Sequence, residues 1–178
     1  QLISNTSGLP GLFTPLNTLT ATSSPDGAYG CMWDGTATLE ECGKTIYEAA
    51  ASGTDQIIPP DSFFQYGGGQ WQIAGAVAQI ASGKTMSVLF DEIYGEPCGL
   101  THSGWHNSVV IGDPPGIFQY PPMFDGTVES IPATDNPSVE GGMYTTMADY
   151  GKLLQMYLHN GQCGATEVHP PTTIARIL

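Results

Sequence analysis

The chain has 178 residues, about the size of one domain and long enough to bury a sizeable core. Four Lys and Arg against 17 Asp and Glu give a net charge of −13. That charge excludes ordinary nucleic-acid binding and docking on anionic membranes, since both need clustered cations. Only 12 % of the residues are charged while 40 % are hydrophobic, so the acidity reflects scarce bases and the chain is no disordered acidic tail.

No apolar run approaches the ~20 residues of a membrane-spanning helix, so no membrane insertion is expected. The N-terminus carries no basic-then-apolar signal segment, so the chain is expected to be cytosolic or to have lost its targeting segment. The 23 Gly and 14 Pro predict long irregular loops between regular elements. Cys31, Cys42, Cys98 and Cys163 allow three disulfide pairings or four buried thiols, and none has C-x-x-C spacing. Cys31 and Cys42 flank a short turn-rich stretch and are one pair suited to closing a small loop. An even cysteine count, few lysines and the sequon Asn5-Thr6-Ser7 favour an oxidising, exported setting, secreted, periplasmic or extracellular, with Asn5 a glycosylation candidate.

Residues 1–37 read as loop. The first helix opens at Thr38, where Glu41 three residues on completes a capping box. Leu39, Cys42, Ile46 and Ala49 form its apolar stripe, and Gly53 stops it. A second helix is predicted from Gln70 to Ser82, with Trp71, Ala74, Val77, Ala78 and Ala81 on its buried side and Gly83 after it. A short third helix fits Thr85 to Gly95. Residues 101–142 show little periodicity, apart from a short strand at Ser108–Ile111, and so large an irregular stretch suggests a functional or covering loop. The fourth helix opens at Thr146 with Asp149 as capping partner. Met147, Tyr150, Leu153, Leu154, Tyr157 and Leu158 are its expected buried face, with His159 in the last turn and Gly161 beyond. Pro170–Thr173 reads as a helix start, and the chain stops one or two turns later, as a cut sequence would. The fold class is therefore mainly α with long irregular loops.

The most informative segment is Phe64-Gln65-Tyr66-Gly67-Gly68-Gly69-Gln70-Trp71, which leads straight into the second helix. Three glycines before a helix can cradle an anion, but neither a following Lys-Ser/Thr nor a G-x-G-x-x-G pattern supports a phosphate loop. Tyr66 stands at the helix mouth, where the positive end of the helix favours phenolate and suits a general base; on spacing alone a core tyrosine is the competing reading. His102 and His106 have the i, i+4 spacing of helical zinc ligands, yet Gly104 lies between them and no acidic ligand is near, so they read as exposed loop residues and no metal is expected. Asp26-Gly27 and Asp34-Gly35 lack the carboxylates of a calcium loop and read as turns. Trp105, Phe118, Tyr120 and Phe124 either wall a cleft for an apolar acyl group or pin the long loop to the body.

Four stretches together resemble the serine β-lactamase and penicillin-binding-protein-like hydrolases, with their esterase and D-aminopeptidase relatives. Gln1–Pro10 resembles the family's "LLTHTSGLP" segment, with Asn5 where His is usual. Phe64–Gly75 resembles "FxYSNxxYxLLG" and continues through Ala81-Ser82-Gly83-Lys84 and Glu96–Thr101. Glu140–Tyr150 resembles "GGLxSTxxDLxxF", and Val168–Ala175 resembles "LSPxTVxxM". The resemblance covers residues 1 to 178 in the family's order.

It implies a two-lobe enzyme without cofactor: a helical lobe inserted within an α/β lobe of helices on an antiparallel sheet, with the active site between them. The nucleophile is the Ser of an S-x-x-K motif, and a tyrosine from the helical lobe is the general base. That role falls on Tyr66, and the adjacent substrate-facing positions fall on Gly67 and Gly68, where Ser and Asn are common. Glycine at the Asn position removes the amide that would bind substrate, which leans toward the esterase-like branches.

No Ser in this chain has Lys three residues later, and no Lys-Thr-Gly follows residue 142. Residues 1–178 are accordingly expected to be a single helical lobe, a fragment of a longer hydrolase acting on an ester, amide or lactam. Lacking a nucleophile, it would be inactive alone and would meet substrate only together with the missing lobe or a protein partner carrying the rest of the fold. The alternative is a non-catalytic binding or assembly module derived from that fold.

Overall fold

A computed structural model describes residues 2–9, 28–33, 36–52, 59–105 and 134–177. Its elements are a 3-10 turn (Ala28–Trp33), helices α1 (Leu39–Ser52), α2 (Gly68–Ser82), α3 (Met86–Phe90) and α4 (Glu96–Cys98), α5 (Met147–Leu158) and α6 (Pro171–Ile177). A π-helical turn, Asp91–Gly95, joins α3 to α4. The strands form two small antiparallel pairs, β1 (Ser103–Trp105) with β2 (Met143–Thr145) and β3 (Gln162–Cys163) with β4 (Thr166–Glu167). Helix dominates among the described residues. The predicted strand at Ser108–Ile111, the two Asp-Gly turns, His106, Phe118, Tyr120 and Phe124 lie outside them.

The capping box at the start of α1 forms as expected. Thr38 N donates to Glu41 Oε2 at 3.0 Å and Glu41 N donates to Thr38 Oγ1 at 3.2 Å, satisfying two amides that a bare helix end leaves unpaired. Thr38→Ala is expected to cost about 1 kcal/mol, readable as a lower denaturation midpoint in urea. The stripe below it is buried: Leu39, Cys42 and Ile46 have no exposed surface. With Leu9, Met32 and Ile73, Cys42 and Ile46 make the main core. The Cys31–Cys42 disulfide, with Cα atoms 5.3 Å apart, ties the 3-10 turn to α1. A second disulfide joins Cys98 to Cys163.

Helix α2 presents a different face from the predicted one. Val77 is 55 % exposed and Ala81 is exposed, whereas Gln70, Gln72, Ile73, Ala76 and Gln79 are buried. Two segments distant in sequence pack on this helix and satisfy its glutamines. Ser7 Oγ donates to Gln70 Oε1, and Gln70 Nε2 donates to the Gln65 carbonyl. Gln72 Nε2 donates to Asn136 Oδ1 at 2.9 Å and to the Pro137 carbonyl at 3.0 Å, while its Oε1 accepts from Val139 N at 3.1 Å. Gln79 Oε1 accepts from Met86 N at 2.8 Å. Close approach completes the packing. A Cβ on Gly75 would fall 2.5 Å from Val139 Cγ2, and one on Gly43 of α1 would fall 2.6 Å from the Ala76 Cβ.

The third predicted helix runs past Gly95. Its chain passes through the π-helical turn into α4, with Leu100 N donating to the Gly95 carbonyl five residues back. Helix α5 has its predicted start, Thr146 Oγ1 accepting from Asp149 N at 3.2 Å. Its expected buried face is corrected: Met147 is 85 % and Leu158 78 % exposed, with Tyr150 and Leu154 about half exposed. Leu153 of the expected face does turn inward, but with Asp149 and Met156 beside it, spaced four and three. Asp149 sets that orientation by accepting hydrogen bonds from Thr101 N at 2.8 Å and His102 N at 2.6 Å. No single described helix is long and apolar enough to cross a membrane.

Candidate functional site

The strand-like segment that delivers Tyr66 is braced from the N-terminal residues. Asp61 N donates to the Thr6 carbonyl and Gln65 N to the Asn5 carbonyl, both at 2.8 Å, and Thr6 Oγ1 donates to Asp61 Oδ1 at 2.8 Å. Asn5 itself adopts φ 55, a left-handed conformation that asparagine tolerates. It is only 8 % exposed, and its Oδ1 is buried without a partner among the described residues. The glycosylation candidate is thus a bracing residue in this fold.

Tyr66 is 50 % exposed at the mouth of α2, open on one side and met on the other by Glu140. Gly67 and Gly68, the expected substrate-facing positions, are buried. A Cβ added to Gly68 would come 2.1 Å from Glu140 Oε2 and 2.5 Å from Met32 Cε. The Glu140 carboxylate therefore fills the space that a larger side chain at Gly68 would take.

This changes the expected electrostatics. The helix end alone favours phenolate, but the negative charge of Glu140, then the hydrogen bond its carboxylate accepts from the phenol, then partial desolvation raise Tyr66 above its ordinary value of 10. A full charge beside the hydroxyl outweighs the partial charge of a helix end. Glu140 was not among the residues singled out by the sequence. Its position at the head of the Glu-Gly-Gly-Met stretch was the available signal, but its meeting with Tyr66, 74 positions earlier, depends on the tertiary path of residues 136–140.

The remaining candidates separate from this site. Trp105 packs edge to face on Phe90, with centroids 6.1 Å apart. Together with Tyr94, Met143, Leu153 and Met156 these rings line an apolar cleft of about 520 Å³ that does not include Tyr66. His102 is exposed, its amide on Asp149 and its Nδ1 2.8 Å from Thr101 Oγ1. No group of three or more metal-ligating side chains stands together among the described residues.

No family model and no curated protein matches the sequence. Solved structures do match its fold. A Bacteroides dorei DSM 17855 structure assigned as a β-lactamase shares 28 % identity over 98 % of this chain, with a TM-score of 0.56. EstCE1, a hydrolase with promiscuous acyltransferase activity, shares 23 % identity with a TM-score of 0.63, and a Bacillus halodurans penicillin-binding protein shares 17 % with a TM-score of 0.54. The chain thus has the fold of part of the β-lactamase and penicillin-binding-protein-like structures, as its four motif stretches imply. It spans 40, 48 and 49 % of the three matched chains.

Proposed function

We propose that residues 1–178 are the tyrosine-bearing helical lobe of a two-lobe serine hydrolase that cleaves an ester, amide or lactam through an acyl-serine. The observation that carries this reading is Tyr66, exposed at the mouth of α2 in a chain whose sequence motifs and fold both match that family. The S-x-x-K serine belongs to the part of the fold outside this chain. Tyr66 draws the proton from that serine and returns it to the leaving group, and water then releases the acyl group. An acceptor rather than an amide donor at the Gly68 position favours esters over penicillin-type amides. Both disulfides suit an oxidising compartment, periplasmic or extracellular.

A fluorophosphonate probe tests the assignment. The natural full-length protein is expected to label at the S-x-x-K serine, and residues 1–178 alone are expected not to label. In the full-length protein Tyr66→Phe should lower the acylation rate about 10²–10⁴-fold, the usual contribution of a positioned proton-transfer group. Failure of the full-length protein to label would favour the second reading, a binding or assembly module. Glu140 occupying the place of the substrate-binding amide is the feature that favours it.

A further inference from the structure

The apolar cleft between α3 and α5 measures about 520 Å³, inside the range of ~300–1,000 Å³ usual for small-molecule sites. Its floor is buried, at Phe90 and Met156, while Ile93, Tyr150 and Leu154 along its rim are each more than two-fifths exposed, so it opens to solvent. Aromatic rings dominate the wall: Phe90, Tyr94, Trp105, Tyr150 and Tyr157 all line it. They do not form a flat stack. The planes of Phe90 and Trp105 meet at 84° and those of Phe90 and Tyr94 at 40°, with centroids 6.1 and 5.7 Å apart, like adjoining walls of a box. Tyr94 is pinned in that setting by its hydroxyl, 2.8 Å from His169 Nε2. Trp105 Nε1 is buried without a partner among the described residues, so the indole meets the cleft with carbon and π-electrons rather than with its N–H.

Charge selects the occupant. No Lys, Arg, Asp or Glu lines the cleft. The π-helical turn that supplies Ile93 and Tyr94 also carries exposed Asp91 and Glu92, and the whole chain has a charge of −13. Three of its four cations are engaged in ion pairs, Lys44 with Glu48, Lys84 with Glu92 and Lys152 with Asp149. An anion would enter against this field and find no base to receive it. A cation would be drawn in and would meet the negative faces of several rings. A quaternary ammonium suits such a wall better than a primary one, because it has no N–H for an apolar lining to leave unpaired. We propose that the cleft binds a small cationic amphiphile, a quaternary ammonium on a short alkyl or acyl chain, with the headgroup among the rings and the chain along Leu89, Leu153 and Met156. Tyr66 does not line the cleft, so this site is independent of the hydrolase reading.

Calorimetric titration of the natural full-length protein with hexyltrimethylammonium, 1-hexanol and hexanoate provides the test. It is run at low salt and again at about 1 M NaCl, where a Debye length of ~3 Å removes the pull of the net charge. Hexyltrimethylammonium is expected to bind about 3- to 30-fold tighter than 1-hexanol at both salt concentrations, the span of a cation–π contribution, and hexanoate to bind weakest. Its N-methyl proton resonance should move upfield on binding, from the ring currents around it. Trp105→Leu keeps an apolar wall and removes the ring best suited to a cation. It should weaken the ammonium about tenfold and leave 1-hexanol within about twofold. Should a thermal melt show that variant to be poorly folded, Tyr150→Leu on the exposed rim makes the same comparison, with an expected loss of about threefold. Equal affinity for the ammonium and 1-hexanol, or a preference seen only at low salt, overturns the proposal. The first outcome leaves a simple apolar cleft, the second only attraction to an acidic chain. Absence of binding by all three probes overturns it as well. So does loss of ammonium binding in Tyr66→Phe, which would put the ligand in the hydrolase site.

Discussion

Asp149→Ala is expected to destabilise the folded chain by about 2–3 kcal/mol, the order expected when part-buried backbone amides lose their charged acceptor. Asp149 is 1 % exposed. Its carboxylate accepts from Thr101 N and His102 N through one oxygen and binds Lys152 Nζ at 2.8 Å through the other. Truncation orphans two amides at once and removes the tie between residues 101–102 and α5, so urea denaturation should report the loss directly. A pH signature follows. Burial pushes the carboxyl up, but the Lys152 hydrogen bond, the His102 and Thr101 amides and the Lys152 charge outweigh it and hold it at about 2, below its ordinary 3.8. A depressed folded-state value stabilises above the unfolded value and loses that contribution as pH falls through the folded one. About 2 kcal/mol should therefore disappear between roughly pH 5 and pH 2. Asp149→Asn should lack that acid limb.

Breaking the Cys98–Cys163 bridge by a paired Ser substitution is expected to cost about 4 kcal/mol. The bridge closes a loop with a sequence separation of 65, and the entropy removed from the unfolded chain grows with the logarithm of loop length. The same formula gives about 3 kcal/mol for Cys31–Cys42, whose separation is 11. The longer bridge should be the more costly to lose, measured as the difference in urea midpoint between the two double variants. It joins the end of α4 to β3, just past α5, so its removal should act on the same region as Asp149→Ala. The combined variant should then lose less than the sum of the two, because neighbouring sites couple.

Where structure follows from neighbours in the chain, the sequence was legible. Thr38 with Glu41 and Thr146 with Asp149 mark helix starts by chemistry that spans three residues, and both caps form. The stripe of α1 buries as its apolar spacing predicts. The faces of α2 and α5 were misread because apolar character was taken to mean burial. Gln70 and Gln72 go inside because partners more than 60 positions away, Ser7 and Asn136, satisfy their amides. Asp149 goes inside because two backbone amides and a lysine await it. No periodicity encodes those partners. The surroundings of Tyr66 divide the same way: its place before a helix is read from the chain, whereas the Glu140 charge that acts on it is brought there only by the fold. The sign of the field at the phenol was wrong for that reason, since the nearest charge lay outside the local segment.

The glutamine-lined face of α2 separates two properties that an oily face would merge. Apolar packing has no direction, so a slipped segment can bury nearly as much surface as the native one. Three hydrogen bonds from one amide to Asn136, Pro137 and Val139 have no second-best alignment, and a shift of a single residue would orphan them all. Gln72 thus works as a key for a single lock, indexing residues 136–140 along the helix independently of how tightly the core is filled. Thinning the core at Ile73 should soften the molecule and leave the spacing between Tyr66 and Glu140 untouched. Gln72→Leu should do the reverse, preserving bulk while releasing the alignment. Robustness and the placing of residues 136–140 can therefore drift apart, each tuned by different side chains on one helix.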